Sequence, residues 1–525
     1  MMRSFPRARW IALCTVVATS FLSGGWLLRP APAAGGGVYQ QARLFEHVVT
    51  AINRHYIDSL GEGDLYERAA GALVQSLGDP YAELLINESY REYRRQMSGT
   101  EFDLDFDRGP TESGDRDSNR GFGPGDKVLS IDGRSTEGWS ARRIEEALRE
   151  GSGRTVTVIL RPRGSDRPVI RRLTRTAVHV PAASSGVLLR GQVGYVVLRR
   201  MSEGAAEELR SVVDSLVAQG MGSLVLDLRS NPGGLIREGV QVAGLFLEEG
   251  DTVATSVGRG SRTVKTYLAD EAAGWGALRV ALLVNRGTAS SAELIAGALQ
   301  DHDRAVVIGT ATYGKGVLQT TYPLGDEVAI KLTTARWFTP SGRSVQRPPA
   351  EAVGGQGNRP PGLAPEVRRT TAGRPVPDAS GVLPDLTVRA TLRSDAERAL
   401  SRAMGEEFDR FRGAIASYAA ELRARNEVND ESFQVTPDMR DSLYERLGED
   451  GLALERSTYD SAAVYVSEQL GNEIVRELFG TESVVRRQAK ADRQLQAALR
   501  LLRTTETQQE ALTAAVAAQA SGRVR

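Results

Sequence analysis

Ala281-Leu282-Leu283-Val284-Asn285-Arg286-Gly287-Thr288-Ala289-Ser290-Ser291-Ala292-Glu293-Leu294-Ile295 is the stretch on which the reading of this chain turns. An apolar run with the look of a buried strand enters a tight glycine turn. Two serines and an alanine-rich helical segment follow. A strand–turn–helix of this kind holds a hydroxyl at a helix N-terminus, where free backbone N–H groups and the helix dipole favour developing negative charge. The plainer reading makes Thr288 or Ser290 a helix N-cap.

The surroundings of this stretch read as an α/β layer. Tyr195–Leu198, Ser223–Leu228, Val280–Val284 and Ala305–Ile308 are short apolar runs, with helical patterns at Ala205–Ala218 and Ala292–Leu299 between them. Strands alternating with helices predict a largely parallel sheet.

A serine becomes a nucleophile only with a base beside it. His302 lies past the far end of the helix from Ser290, about 15 Å away at helical rise. Lys315, in Thr312-Tyr313-Gly314-Lys315-Gly316, is the other candidate. Its flanking glycines let the backbone bend and turn the side chain inward. A lysine acts as a base only when neutral, and burial favours that form. Gln319 could hold the amine, although a straight strand would separate the two by roughly 13 Å, so a bend at Gly316 is required. A third element, Asp227-Leu228-Arg229-Ser230-Asn231-Pro232-Gly233-Gly234, follows an apolar strand. Its Pro-Gly-Gly turn can expose backbone N–H groups, the material of an oxyanion hole, or be a simple turn.

Composition narrows the classes. Of 525 residues, 41% are hydrophobic and 25% charged, the balance of a globular protein long enough for two or three domains. Lys plus Arg and Asp plus Glu both number 66, which argues against a nucleic-acid binder. Cys14 is the one cysteine and His47, His55, His179 and His302 are the four histidines. No disulfide can form within the chain, no Cys-based zinc site exists, and the histidines are scattered, so the expected chemistry uses no metal and no cofactor.

The first 34 residues read as a signal peptide or membrane anchor. Arg3, Arg7 and Arg9 precede a charge-free run of 19 residues, Trp10–Leu28, and Ala31-Pro32-Ala33 offers a small-residue cleavage site. Either outcome predicts export, with the rest of the chain periplasmic or anchored to the cytoplasmic membrane facing outward. Residues 38–98 read as helical, with apolar stripes at Leu44, Val48, Ala51 and Ile52 and at Leu65, Ala69, Ala72 and Leu73. Residues 99–176 read as a small α+β domain: Phe102, Leu104 and Phe106 alternate, Gly123–Asp126 and Asp132-Gly133 are turns, Lys127–Ile131 and Thr155–Leu160 strands, Ala141–Arg149 a helix. Arg347 to Pro384 carries eight of the 21 prolines, so 347–380 is expected to be a surface insertion. Residues 393–525 read as all-α. Their stripes (Phe408, Phe411, Ile415, Tyr418, Leu422; Ala463, Val466, Leu470, Ile474, Leu478; Ala491, Leu495, Ala498, Leu499, Leu502) favour core or bundle contacts.

Taken together, Asp227–Gly234, Asn285–Glu293 and Gly309–Gly316 with Gln319 resemble the carboxyl-terminal processing peptidases, exported Ser/Lys-dyad serine proteases that usually carry a PDZ domain. His55-Tyr56-Ile57, Asp79-Pro80, Trp337–Arg343 and Leu383-Pro384-Asp385 add weaker matches, and the resemblance covers about residues 40–390. It implies a crotonase/tricorn-core-like α/β protease domain over 184–392. In it Ser290 is the nucleophile, Lys315 the base 25 residues later and Gln319 the residue that positions the lysine. It implies oxyanion donors at the N–H of Gly234, less surely Gly233, and of Ser291. Asp301, important in some members, is read here as structural. The PDZ region departs from the pattern: Gly123–Asp126, Ile131–Gly133 and Trp139–Gly151 match its second half, while the carboxylate-binding loop is replaced by the polar run Asp107–Arg120. A degenerate PDZ-like domain is therefore expected.

These readings converge on an exported endopeptidase cleaving proteins near their C-terminal tails through an acyl-enzyme. Its expected partners are protein or peptide substrates, with room for an activating adaptor and for homo-oligomerisation through the C-terminal helices. The rivals are a non-catalytic or partner-gated binding scaffold on the same fold and a crotonase-type thioester enzyme, which the secretory segment disfavours.

Overall fold

The computed structural model describes residues 36–106, 127–139, 143–144, 147–148, 155–162, 165–261, 263–270, 274–347, 367–378 and 381–522. The targeting segment, the polar run 107–120, the 123–126 turn, most of the 141–149 helix and the proline-rich 348–366 lie outside them. The chain divides into two compact units, residues 1–84 and 85–525.

Within the first unit, helices Gly36–His55 and Glu62–Gln75 meet through the rings of Phe45 and Tyr66, 6.1 Å apart. The buried side chains are Val49, Leu65 and Val74, whereas Leu44, Val48, Ile52 and Leu73 of the expected stripes are exposed. Two short helices enclose too little volume to bury both stripes.

The second unit is built on a six-stranded sheet. Its order is Leu386–Thr387, Val306–Gly309, Arg279–Val284, Ser223–Asp227, Val193–Val197 and Val187–Leu189. All neighbours are parallel except the last pair. Alternate side chains of these strands serve two separate cores. Leu224, Leu226, Val280, Leu282 and Val284 face a core with helices Ala205–Ala218, Ile236–Gly244 and Ser291–Asp301. Val225, Ala281, Leu283, Val306 and Ile308 face Leu495, Ala498, Leu499, Leu502, Leu512 and Ala515 of helices Arg493–Thr504 and Gln508–Ser521. Burial on both faces explains why the strands read as continuous apolar runs.

The C-terminal 393–525 region therefore divides. Its first two stripes form a core of their own around Phe411, Ile415, Leu422, Val466, Leu470 and Ile474. Its third stripe, apart from exposed Ala491, lies on the six-stranded sheet and is already covered. The proline-rich segment also differs from expectation. In its described part Val376 is buried, and the Arg374 guanidinium joins Asp303 at 2.6 Å to Asp385 at 2.5 Å. Two nearly buried carboxylates draw the segment inward, because a buried charge needs a partner.

An antiparallel sheet joins Thr100–Phe106, Val169–His179, Thr155–Arg161, Lys127–Ile131 and Arg134–Ser135, with Ile131, Leu148, Val156, Val158 and Leu173 beneath it. The expected strands at 127–131 and 155–160 are present, and the Phe102–Phe106 alternation is an edge strand. A further antiparallel arrangement pairs Val328–Phe338 with Val317–Pro323 and with Thr252–Gly258. It carries the segment after Lys315. Among the described residues no helix is long and apolar enough to cross a membrane.

Candidate active site

Three chain segments meet at the carboxyl end of the parallel strands, where open α/β sheets place their ligands. The first is the turn after Arg279–Val284. Asn285 Oδ1 accepts from the N–H of Gly287 at 2.9 Å and of Ser230 at 2.8 Å. Thr288 Oγ1 accepts from Asn285 N–H at 3.0 Å and donates to Leu228 O at 2.7 Å. One Asn and one Thr thus lash together the ends of two neighbouring strands. Ser290 follows with φ 56° and ψ −122°. That conformation is costly for a non-glycine residue and is typical of a serine held at a sharp strand-to-helix elbow.

The elbow also separates the two serines. Ser290 is half-buried, whereas Ser291 is fully buried. A Cβ on Gly239 would lie 2.8 Å from the Cβ of Ser291, so the second serine is packed against helix Ile236–Gly244. Ser290 is the hydroxyl presented outward. It occupies the N-cap position, so the capping and the nucleophile readings describe the same residue.

The second segment is the turn Asn231–Gly234. Asn231 is fully buried, donates to Leu198 O at 2.7 Å, and accepts the Gly233 N–H at 2.8 Å. Its carbonyl accepts the Ala289 N–H at 2.9 Å, joining this turn to the elbow. Gly233 is thereby committed to Asn231, and the N–H groups of Gly234 and Ser291 are left without an acceptor among the described residues. A Cβ at Gly233 would stand 2.9 Å from both Ser290 Cβ and Ser291 N. Gly234, at φ 147°, has no room either: a Cβ there would fall 2.4 Å from Met201 O. Upstream, Asp227 accepts the Tyr195 hydroxyl at 2.7 Å and pairs with Arg229 at 2.6 Å. The same guanidinium reaches Asp492, the cap of helix Arg493–Thr504, at 2.7 Å.

The third segment carries Lys315. Tyr313 N–H donates to Thr288 O at 2.9 Å. The tightest tie is Glu293, fully buried on the first turn of the elbow helix. Its Oε1 accepts from the Thr312 hydroxyl at 2.5 Å and Gly314 N–H at 2.7 Å. Its Oε2 accepts from Ser290 N–H at 3.0 Å and Lys315 N–H at 2.8 Å. The backbone nitrogens of Ser290 and Lys315 thus share one oxygen atom. Burial pushes the Glu293 carboxyl above its ordinary range, against four hydrogen bonds that pull it down.

Lys315 Nζ donates to Gln319 Oε1 at 2.6 Å. The bend that this contact requires has two sources. Gly316 precedes the strand, with a would-be Cβ 2.8 Å from Gln346 N, and a bulge interrupts the ladder between Leu318 and Gln319. His302 caps the far end of the helix and bonds Thr252 O at 2.8 Å, away from the elbow. Asp301 sits at that far end too, paired with buried Arg343 at 2.9 Å and accepting Ser341 N–H at 3.1 Å.

Glu293, Asn231, Asn285 and Arg229 have no role in the sequence reading above. Glu293 had a signal: Ser290-Ser291-Ala292-Glu293 is a capping box, serine followed three residues later by glutamate.

The profile of peptidase family S41 matches residues 192–352, a span that contains all three segments. The carboxy-terminal-processing protease of Bartonella bacilliformis is 30% identical over 327 residues, covering 59% of this chain and 73% of that protein. The chain belongs to peptidase family S41. By family it is a serine-type peptidase. A probable CtpA-like serine protease of Staphylococcus haemolyticus is 29% identical over 316 residues, 58% of this chain and 63% of the relative's own length. Among solved structures, a photosystem II D1 C-terminal processing protease aligns at 26% identity over 58% of this chain and 89% of that one, with a TM-score of 0.33. The S41 match stops before the C-terminal helices, so the half of the sheet's packing that they supply lies beyond it.

Proposed function

We propose that this S41 chain is an exported endopeptidase that cuts proteins near their C-terminal tails with a Ser290/Lys315 dyad on a crotonase-like core. The observation that carries the reading is the shared Glu293 oxygen, which fixes the candidate nucleophile and the candidate base to one atom. Neutral Lys315, held by Gln319, takes the proton of Ser290 Oγ as the oxygen attacks the scissile carbonyl. The N–H groups of Gly234 and Ser291 receive the oxyanion. The tetrahedral adduct collapses, the amine leaves with the proton from Lys315, and an acyl-enzyme remains. Lys315 then deprotonates a water that hydrolyses the ester and restores Ser290.

On this reading the sheet at 100–179 is a PDZ remnant with a structural role. Asp301 supports Arg343 rather than the chemistry. Residues 1–34 direct export, and an adaptor or a second copy would engage outside the active site. The test is degradation of casein by the full-length chain, beside Ser290→Ala and Lys315→Ala. Loss of cleavage in both variants, with a serine-directed probe labelling only wild type, is the expected result. Wild-type cleavage by either variant would end the proposal.

A further inference from the structure

Glu293 holds Lys315 by its own backbone N–H. The carbonyl before the lysine and the N–H after it are held by a different segment. Arg347 N–H donates to Gly314 O at 2.9 Å, and the Arg347 guanidinium reaches Thr312 O at 3.0 Å. The N–H of Gly316, a buried residue, donates to the side-chain Oε1 of Gln346 at 2.9 Å.

The Gln346 bond departs from ordinary strand pairing. In a parallel ladder that opens with Arg347 N–H on Gly314 O, the next bond is Gly316 N–H on Arg347 O. Here the Gln346 carboxamide stands between those two groups. Its Oε1 takes the Gly316 N–H, and its Nε2 donates to Arg347 O at 3.0 Å. One carboxamide thus props the two segments apart at the residue after Lys315. That residue is where the chain must bend for Lys315 Nζ to meet Gln319 Oε1. The fit is close, since a Cβ on Gly316 would lie 3.1 Å from the Cβ of Gln346.

Gln346 is itself held in place. Its N–H donates to Ser344 Oγ at 3.1 Å, Ser344 N–H to Asp378 Oδ1 at 2.6 Å, and Gly381 N–H to Val345 O at 3.0 Å. The two ends of the proline-rich segment are joined here. The second end also grips the lysine loop, with Val382 N–H on Thr312 Oγ1 at 2.7 Å.

We infer that Gln346 is a positioning residue for Lys315, its carboxamide setting the bend at Gly316 that aims the amine at Gln319 and Ser290. The inference rests on the reading of Lys315 as the base. Without the carboxamide, Gly316 N–H either loses its acceptor or closes onto Arg347 O, and closing relaxes the bend.

The readout is the second-order rate at which a fluorophosphonate labels the full-length chain, with kcat and KM on a casein-derived peptide beside it. Gln346→Leu keeps the bulk and removes both hydrogen bonds. Gln346→Glu keeps the acceptor for Gly316 but offers no donor to Arg347. Each is compared with wild type at the plateau of its own pH–rate profile, which separates geometry from added charge. Gln346→Leu should label and turn over roughly 10- to 100-fold more slowly, the scale of a misplaced reacting group. Its KM should stay within about twofold, with complete labelling at the end point and a cooperative urea transition. Gln346→Glu should fall between Leu and wild type, and it carries the test alone if the Leu variant does not fold. Rates within about twofold of wild type in every folded variant, or a loss matched by the fraction of chains that never label, would overturn the positioning role. Wild-type rates in Lys315→Ala would instead sink the base reading and this inference with it.

Discussion

Glu293→Gln is a change of one atom, and the hydrogen bonds around that carboxylate set its consequences. Four donors converge on two oxygens: Thr312 Oγ1 and Gly314 N on one, Ser290 N and Lys315 N on the other. Placing the new NH2 toward Ser290 and Lys315 orphans two backbone N–H groups. The opposite placement orphans one backbone N–H, that of Gly314, and makes the Thr312 hydroxyl, which already accepts the Val382 N–H at 2.7 Å, accept in place of donating. The side chain should choose the second, at a cost of about 1–3 kcal/mol for one unsatisfied buried donor. Glu293→Ala orphans all four and opens a cavity, so its loss should exceed ~4 kcal/mol. Urea midpoints give stability, and casein cleavage with serine-probe labelling gives function. Gln should keep the fold with reduced cleavage, while Ala should lose both. Equal stabilities for the two variants would refute the clamp. The pH dependence follows from the same group. Its folded pKa is raised above the ordinary 4.5 by burial, so its contribution to stability is fullest below 4.5 and fades as pH rises through the folded value. Activity runs the other way: the protonated acid cannot accept all four bonds. Cleavage should therefore fall on acidification from a pH above the usual carboxylate range more steeply than protonation of Lys315 alone requires, and Glu293→Gln should lack that additional component.

Gly234→Ala would drive a methyl to 2.4 Å from Met201 O at a φ of 147°. Backbone cannot yield as a flexible side chain does, so cleavage should drop at least ~100-fold on loss of one oxyanion donor, measured as kcat on casein-derived peptides. Asp492→Asn keeps a good cap for helix Arg493–Thr504, which Asp492 supplies to Gln494 and Leu495, but gives up the ion pair to Arg229. Both partners are partly exposed, so the loss should be about 1 kcal/mol in a urea titration, with Asp492→Ala losing roughly another 1 kcal/mol from the cap.

Much of the sheet was legible because both of its faces are apolar. Val280–Val284 and Leu224–Leu226 stand out as uninterrupted hydrophobic runs, and the helix expected at Ala205–Ala218 has those ends. The elbow was legible because glycine, serine and alanine follow one another at a strand's end. The contact of Lys315 with Gln319 was legible only as a requirement. The bulge that meets it is a register shift against Val328–Phe338, set by pairing across the turn and invisible in local sequence. Glu293 escaped because a glutamate inside an apolar helix reads as a surface residue until the donors around it are known. The third C-terminal stripe, Leu495 to Leu502, had the right period but no address, since amphipathicity states that a face is buried and not against what.

That address has a temporal consequence. Residues 281–315 bring the elbow and its lysine off the ribosome some two hundred residues before Leu502, Leu512 and Ala515 arrive to cover the other face of the same sheet. Until then Val225, Leu283 and Ile308 have nothing to bury against, and Arg229 lacks Asp492. A nascent or C-terminally truncated chain would hold both residues of the proposed dyad on a half-built platform. Packing by helices Arg493–Thr504 and Gln508–Ser521 thus makes the platform under the elbow a late product of synthesis.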